Sequence, residues 1–508
     1  MKKIFDIEKL KKKLQDQKIN KKNIILCHGV FDLIHYGHLK YFEFAKKLNS
    51  CGEKNFLIVS TTADLFIKKG FGRPYFNQNQ RLEMLSNIDM IDAVVLSNNA
   101  SSENIIKNLK PGYYVKGLDY KDNTKDKTGK IYLEKKAVEK YGGKIVYSNT
   151  QINSSSKILN NSTNLFSNKQ KEILNYLKNK KLNFYRIENL LNSLSSLEVT
   201  VLGEIIFDEY NFGNVIGKSG KEPHLVHKFS YKETYAGGSA AVARHLSNFI
   251  KSINLISFFG YESEYKLLLK KDLGKNINFL SFKPDKNFHS IVKKRFIDFN
   301  SFYKLFGSYH LPDINSLKND RLIIKKLKNI KNKIIIITDY GHGLISKKIT
   351  DFLKKKGFYL AVNSQLNSSN IGSHNLNKYS GADLVVINEN ELRNELKDDK
   401  EKIELLSRNF MNKRKIKNLV ITRGSNGAIM IDKKNIFYCP AFIGNAVDKI
   451  GAGDAMLSII TVCLYNNFDK QLSLFLGCIA GYFSVKNLGN KKSLNKSEFL
   501  NFLEYATK

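Results

Sequence analysis

The 508-residue chain has no apolar run of the roughly 18 residues that a membrane-spanning helix needs. Its opening, MKKIFDIEKLKKKLQDQK, is basic but has no uninterrupted apolar stretch behind it, so it does not read as a secretory signal. Cysteine is scarce. Cys27, Cys51, Cys439, Cys463 and Cys478 are odd in number and lack C-x-x-C spacing, which excludes a disulfide scaffold and favours reduced thiols in a cytoplasmic protein. Glycine, at 32 residues, is too sparse for a collagen-like repeat. Acidic side chains are also few: 47 Asp and Glu against 83 Lys and Arg give a net charge of +36. Such a charge can steer anions, from sugar phosphates to nucleic acid. The lysines are dispersed, however, and no basic helix interleaved with aromatics stands out. A general richness in Lys, Asn and Ile explains the charge better than a nucleic-acid interface does.

What is present is an ordinary apolar fraction, 42%, in a chain long enough for two or three cores at roughly 100–200 residues each. Residues 1–160 alternate strand-like runs (NIILCHGVF, NFLIVST, DAVVLS, YYVKG, KIVYS) with helical patterns. That alternation predicts βαβ units around a parallel sheet. Residues 161–196 open with a polar Asn/Ser cluster and continue as an amphipathic helix, as expected of a partly helical connector. From 197 to 508 the alternation resumes with EVTVLGEIIF, INLISFF, KIIIITDYG, FYLAVNS, DLVVIN, NLVITRG and AIMIDKK, and a long helical tail follows GAGD. The expected fold is two α/β domains in series.

A first constellation follows the strand ending near Phe31: Gly29-Val30-Phe31-Asp32-Leu33-Ile34-His35-Tyr36-Gly37-His38, then a helix. Ligands of open α/β sheets bind at strand carboxyl ends, so this turn lies where a site belongs. Gly29 admits close backbone approach and Gly37 frees space at the helix start. His35 and His38 share one side of the first turn, where two donors at a helix N-terminus can stabilise charge on a phosphate. A metal pair or two surface histidines are the alternatives; no third metal ligand is apparent. GVFDLIHYGH resembles the G-x-F-D-x-x-H-x-G-H signature of the cytidylyl- and adenylyltransferase superfamily, which implies a Rossmann-like nucleotidyltransferase domain. By that resemblance His35 and His38 are catalytic and Gly29, Phe31, Asp32 and Gly37 belong to the nucleotide site. Lys46 or Lys47 stands where the family often has a phosphate-binding Lys. Gly72-Arg73-Pro74 with Gln80-Arg81 resembles a substrate loop and following helix, with Arg81 on phosphates. Val115-Lys116-Gly117-Leu118-Asp119-Tyr120 resembles the VKGxDY segment of sugar-phosphate nucleotidylyltransferases, implicating Lys116 and Asp119. Ser154-Ser155-Ser156 resembles the closing hydroxyl motif, although alone it reads as an N-cap cluster.

A second constellation is Asp448-Lys449-Ile450-Gly451-Ala452-Gly453-Asp454, which opens an apolar helix. Small residues there expose N–H groups as an anion hole, and Asp454 is placed to accept a proton from an attacking hydroxyl. A lone G-x-G-D is more often a capped helix entry. With its companions, D-x-x-GAGD resembles the signature of ribokinase-like carbohydrate kinases. The resemblance implies Gly451, Ala452 and Gly453 as the anion hole and Asp454 as base. Asp208, with the Gly237-Gly238 turn, would bind sugar. Asn363, the Asn388/Glu391 pair of N-x-x-E, and Thr422, Arg423, Gly424 and Gly427 of a T-R-G-x-x-G loop would serve ATP and Mg²⁺. Within Lys293-Lys294-Arg295, Lys294 and Arg295 are taken as candidates to hold a substrate phosphate. Two departures bear on the sugar: GGSAAVA puts Ala241 where a sugar-contacting Asn is expected, and D-Y-x-K-G becomes Asp339-Tyr340-Gly341-His342-Gly343.

Together the halves resemble bifunctional heptose kinase–nucleotidyltransferases, with the order of the halves inverted relative to those enzymes. The resemblance implies sugar phosphorylation by ATP, then nucleotidyl transfer from ATP or CTP to the sugar 1-phosphate. It implies Mg²⁺ carried by the nucleotide with no structural metal ligand, no nucleic-acid or membrane partner, and a homodimer formed through a lid over the sugar site. A second reading keeps the transferase and makes the kinase half a degenerate, sugar-binding regulator, with Ala241 as its motive.

Overall fold

The computed structural model describes residues 3–48, 54–67, 74–99, 101–117, 130–148, 166–282, 288–299, 301, 303–312, 319–370, 375–442 and 446–507. The chain divides into two units, Met1–Leu165 and Phe166–Lys508.

In the first unit six strands form one parallel sheet: β1 (Ile4–Phe5), β2 (Ile24–Gly29), β3 (Phe56–Thr62), β4 (Ala93–Ser97), β5 (Tyr113–Gly117) and β6 (Lys144–Ser148). Their order is β1-β4-β3-β2-β5-β6, every pair parallel. The central strands are near-continuous apolar runs, as strands covered on both faces must be. Ile25, Cys27, Leu57 and Val59 pack on one side, and Leu26, Ile58, Val95 and Tyr114 on the other. The strand order reverses direction between β2 and β5. The crevice beyond their carboxyl ends is therefore the expected ligand site of this topology.

The second unit has a nine-stranded sheet and a separate four-stranded one. The large sheet contains β7 (Glu198–Gly203), β10 (Ser252–Ile256), β11 (Ile277–Phe279), β14 (Ile334–Asp339), β15 (Tyr359–Ser364), β16 (Leu384–Asn388), β17 (Asn418–Thr422), β18 (Ala428–Asp432) and β19 (Ile436–Cys439). It runs β11-β10-β7-β14-β15-β16-β17-β18-β19, and only the last two pairings are antiparallel. The small sheet, β13-β12-β8-β9, joins β8 (Ile205–Lys218), β9 (Leu225–Gly238), β12 (Ile291–Asp298) and β13 (Lys304–His310). β9, β12 and β13 are not signalled by the apolar runs in the sequence: β9 and β13 expose many of their residues, and the middle of β12 is Lys293-Lys294-Arg295.

The expected connector is not an independent element. Its helices Asn168–Asn179 and Phe184–Ser193 bury Leu177, Ile187 and Leu191 and belong to the second unit. Gln170 Nε2 donates to the Ala441 carbonyl (2.7 Å), and Tyr176 Oη to Asp469 Oδ2 (3.1 Å). The apolar stripe that read as a linker helix is a docking face.

Gly203 ends β7 against Thr338, and a Cβ there would collide with the Thr338 side chain and carbonyl. Gly203→Ala is expected to destabilise the second unit by about 3 kcal/mol. Gly220→Ala, where a Cβ meets open space, is expected to stay within about 0.5 kcal/mol. Denaturant unfolding of the two variants side by side checks this.

Candidate functional site

In the first unit β2 delivers the loop 30–35 to the start of the helix Tyr36–Lys47. His35 caps that helix: its Nδ1 accepts the Gly37 N–H (3.1 Å). An acceptor Nδ1 assigns the proton of the neutral ring to Nε2. Nε2 is buried with no hydrogen-bond partner among the described residues, and burial lowers the His35 pKa. The His38 ring lies 4.0 Å away, centroid to centroid, and Phe31 packs edge-on against it at 5.4 Å. Phe31 adopts a left-handed backbone (φ 48°) and tucks its ring under Gly29, where a Cβ would meet the ring at 3.0 Å. Asp32 is buried, and its Oδ1 accepts the Phe76 N–H (3.0 Å). The motif is thus a preorganised turn presenting two imidazoles above a helix N-terminus at the strand-order reversal.

Two expected phosphate ligands are otherwise engaged. Arg81 is fully buried. Its Nε donates to the Phe76 carbonyl (3.0 Å), Nη1 to the Val30 carbonyl (2.7 Å) and to Thr61 Oγ1, and Nη2 to the Thr62 carbonyl (2.8 Å) and Asp64 Oδ1 (2.6 Å). All five guanidinium N–H donors are spent inside the fold. Arg81 is therefore a scaffold of the histidine loop rather than a free anion ligand. Lys46 lies in the last turn of its helix, about 12 Å along the axis from His38. It pairs with Asp92 and donates to the Asn55 carbonyl (2.7 Å), so it too is structural, and its neighbour Lys47 pairs with Glu43 (2.7 Å). Lys116, at the end of β5, is buried against Glu134 Oε2 (3.0 Å) and the Tyr114 ring. Asp119 and Ser154, Ser155 and Ser156 lie outside the described residues.

The second unit holds a cleft of about 860 Å³. Its floor is the start of the helix Ala452–Tyr465, whose N-cap Gly451 is left-handed (φ 86°). A Cβ on Gly451 would sit 2.5 Å from Asn490 Oδ1. Gly451, Ala452, Gly453 and Asp454 all line the cleft. Asp454 Oδ1 accepts from the Tyr340 hydroxyl (2.8 Å). Burial pushes the Asp454 pKa up to about 7, with the Tyr340 bond and Lys293 opposing and Asp208 reinforcing.

One wall comes from the small sheet. Asp208 of β8 accepts from Arg295 Nη1 (2.6 Å) and from Asn490 Nδ2 (3.2 Å). Gly237 leaves the space Asp208 needs, since a Cβ there would lie 2.6 Å from Asp208 Oδ2, and Gly238 lines the cleft at φ 62°. Lys293 and Arg295 point into the cleft, whereas Lys294 does not line it and approaches Glu209 at 3.9 Å. Alternate residues of a strand face opposite sides, so the basic pair of this wall is 293/295 and not 294/295. Lys293 is buried, lies 5.2 Å from the Tyr309 ring centroid and 5.9 Å from that of Tyr340, and has no carboxylate within 4 Å among the described residues. Asn490 carries no local motif that would single it out in the sequence, and nothing in the basic trio marks Lys293 over Lys294.

The other end is lined by Asn363, Thr422, Arg423, Gly424 and Gly427. Arg423 pairs with Glu389 (2.9 Å), and Gly427 is left-handed (φ 83°). Asn388 and Glu391 also line it, but as a reciprocal helix cap. Asn388 N–H reaches Glu391 Oε2 (2.7 Å), Glu391 N–H reaches Asn388 Oδ1 (2.8 Å), and Leu366 N–H takes Glu391 Oε1 (3.2 Å). Among the described residues no three His, Cys, Asp or Glu side chains converge as a metal cage. Ala241 is buried in the helix Ser239–Leu246, and His342 is buried with its pKa lowered to about 4 by burial and Lys293.

These features are those of a phosphoryl-transfer enzyme built on a ribokinase-like fold. Residues 197–497 match the pfkB family carbohydrate kinase model, more than half the chain, and the protein belongs to that family. Residues 26–161 match the cytidylyltransferase-like family. The chain is 40% identical over 107 residues to the bifunctional protein HldE of Campylobacter jejuni (strain RM1221), covering 21% of this chain and 22% of the relative. It is 34% identical over 143 residues to HldE of Geobacter metallireducens, covering 28% of this chain and 27% of the relative. The chain thus matches about a quarter of these relatives' length. Among solved structures, Escherichia coli phosphofructokinase-2 in complex with potassium superposes with a TM-score of 0.50 at 17% identity, covering 62% of this chain and all of that one. The chain thus carries a pfkB-family carbohydrate kinase domain preceded by a cytidylyltransferase-like domain. No helix among the described residues is long and apolar enough to cross a membrane.

Arg81→Met would remove the guanidinium donors of the Thr62 carbonyl and of Asp64 Oδ1, and is expected to cost about 2–4 kcal/mol. Hydrogen exchange should show the loss as faster exchange confined to β2, β3 and the 30–35 loop.

Proposed function

We propose that the protein makes a nucleotide sugar in two steps. The kinase half phosphorylates the anomeric hydroxyl of a sugar phosphate, heptose 7-phosphate being the leading candidate. The transferase half then joins the sugar 1-phosphate to a nucleotide, ATP in preference to CTP, releasing pyrophosphate. The observation that carries the reading is the cleft itself: Asp454 at a helix N-terminus faces Asp208, Lys293 and Arg295 across one cavity.

Asp454 would take the proton from the attacking hydroxyl, and the N–H groups of residues 451–453 would neutralise the transferring phosphoryl group. Lys293 and Arg295 would hold the distal phosphate of the sugar. In the transferase half the His35 Nε2–H and His38 would stabilise charge on the α-phosphate as pyrophosphate departs. Mg²⁺ would screen the triphosphate charge. Glu391 and Asn388 are already bonded to main-chain groups and each other, so a metal here fits as one carried by the phosphates and their waters. The free, buried thiols Cys27, Cys439, Cys463 and Cys478 accord with a reducing, cytoplasmic setting. Phe229, Tyr303 and Phe306, exposed on the small sheet, are the surface through which two copies would pair. The second reading, a kinase half reduced to a sugar-binding regulator, draws on Ala241 and on the neutral His342 in place of a lysine.

Purified protein with heptose 7-phosphate, ATP, CTP and Mg²⁺ is expected to yield a nucleotide heptose by mass spectrometry. Asp454→Asn should abolish it, and His38→Ala should accumulate the bisphosphate. No turnover, with an added sugar 1-phosphate still nucleotidylated, would favour the second reading. Lys293→Met is expected to raise the KM for the sugar phosphate at least about tenfold and Lys294→Met less than twofold, since a desolvated charge-assisted contact contributes about 1.5–3 kcal/mol. A base must be ionised to act. With Asp454 at about 7, kcat/KM of the kinase step should fall as pH drops through 7, and a profile flat from pH 5.5 to 8 would exclude Asp454 as the base.

A further inference from the structure

Tyr340 is anchored from every side before its hydroxyl is considered. Its N–H donates to Glu204 Oε2 (2.6 Å), and its carbonyl accepts from Asn367 Nδ2 (2.6 Å) and Asn370 Nδ2 (3.2 Å). Its ring is buried, and the absent side chain of Gly238 leaves it room: a Cβ there would lie 3.2 Å from the ring. The following residues are held by the same Glu204, through the N–H groups of His342 (3.2 Å) and Leu344 (3.3 Å). A phenol immobilised in this way has one hydrogen-bond partner among the described residues, Asp454 Oδ1 at 2.8 Å.

We propose that Tyr340 is a positioning residue for Asp454: its fixed hydroxyl donates to Oδ1, pins the carboxylate rotamer and leaves Oδ2 as the oxygen that accepts the proton of the sugar hydroxyl. The inference rests on the reading of Asp454 as the base. It goes beyond that reading by naming what orients the base and tunes it. The proton moves from the sugar hydroxyl to Oδ2 as the sugar oxygen attacks the γ-phosphorus of ATP, the bond from that phosphorus to the β-phosphate oxygen breaks and ADP leaves, and Tyr340 keeps its own proton throughout.

Among the described residues four elements face Asp454: β8 with Asp208, β12 with Lys293, the turn after β14 with Tyr340, and the helix Glu389–Leu396 with Glu391. Asp208 and the buried surroundings disfavour the ionised carboxylate, while Tyr340 and Lys293 favour it; Glu391 and Asp454 repel. Removing the phenol therefore moves Asp454 toward its protonated form. A loss near one pH unit is the size expected for one charge-assisted hydrogen bond. Starting near 7, that shift cuts the ionised fraction at pH 7 about fivefold.

The test uses the full chain labelled with ¹³C at aspartate carboxyls. The Asp454 resonance is assigned by its loss in Asp454→Asn. Tyr340→Phe, which removes only the hydroxyl, is expected to raise the Asp454 titration midpoint by about one unit. Tyr340→3-fluorotyrosine, a stronger donor, is expected to lower it. An Asp454 midpoint unchanged in both variants overturns the proposal. The fluorotyrosine variant keeps the hydroxyl and the packing, so it decides the matter even if Tyr340→Phe unfolds. Turnover of heptose 7-phosphate by Asp454→Asn is read separately. Retained turnover would remove the base assignment whatever the titrations show, whereas its loss with unmoved midpoints removes only the role of Tyr340.

Discussion

The second unit is organised around one buried carboxylate. Glu204 stands between β7 and β8, where the chain leaves the large sheet for the small one. It gathers the N–H groups of residues 340, 342 and 344. Beside it Asp339 is equally buried, and it is held ionised by Lys378 (2.7 Å), the Tyr379 hydroxyl (2.5 Å) and the Gly341 N–H (3.0 Å). Burial and the Asp339 charge push the Glu204 pKa upward, opposed by the N–H donors of the turn and by Lys378. Two carboxylates in one apolar core are costly, and the arrangement holds because nearly every lone pair has a donor. The turn 340–344 can therefore hardly shift without exposing an unpaired buried charge. That rigidity is what fixes Tyr340, and with it the carboxylate of Asp454.

Cations illustrate how the fold selects among residues a motif leaves equivalent. Arg81, Lys46 and Lys116 stand in segments that resemble phosphate-binding motifs, yet each meets carboxylates or carbonyls inside the protein. An arginine whose five donors are all occupied has none for a ligand. Lys293 is the converse case. It is buried, carries no ion pair among the described residues and faces a cleft floored by a helix N-terminus. Desolvating an ammonium without a partner is costly, which an arriving phosphate would offset. The difference lies in donor accounting, and a short sequence motif contains no record of it.

Much of the architecture was legible because parallel sheets write themselves as long apolar runs. β2 to β6 and β14 to β18 all fall within segments that alternate with helical periodicity. The small sheet was not legible: β9 and β13 are largely exposed and β12 is interrupted by three basic residues, so all three look like polar loops. With no strand recognised at 291–298, the trio Lys293-Lys294-Arg295 was divided at the wrong place, as 294/295, and the alternation that turns Lys294 away was invisible. The N-x-x-E segment reads as a nucleotide motif and is also a capping box, two roles written in the same letters. Asn490 reaches Asp208 from 282 residues away in the chain, and no local signal marks such a contact.

The cleft is assembled from parts that depend on one another. Asp448, the first residue of the D-x-x-GAGD segment, accepts from Tyr210 of β8 (2.9 Å), from Lys304 of β13 (2.7 Å) and from the Gly489 N–H (3.2 Å). The next residue, Asn490, passes to Asp208 on β8, and Arg244 holds the Asn490 carbonyl (3.0 Å). The small sheet is thus tied to the loop 448–454 by charged and amide contacts, beside the apolar core that Ile206 and Ile291 share with the large sheet. Polar ties of this kind are individually modest in water and stronger once water is excluded. A sugar phosphate that neutralises Lys293 and Arg295 would remove the repulsion between those two cations and dry the cleft. The Asp448 and Asn490 ties would then tighten with it.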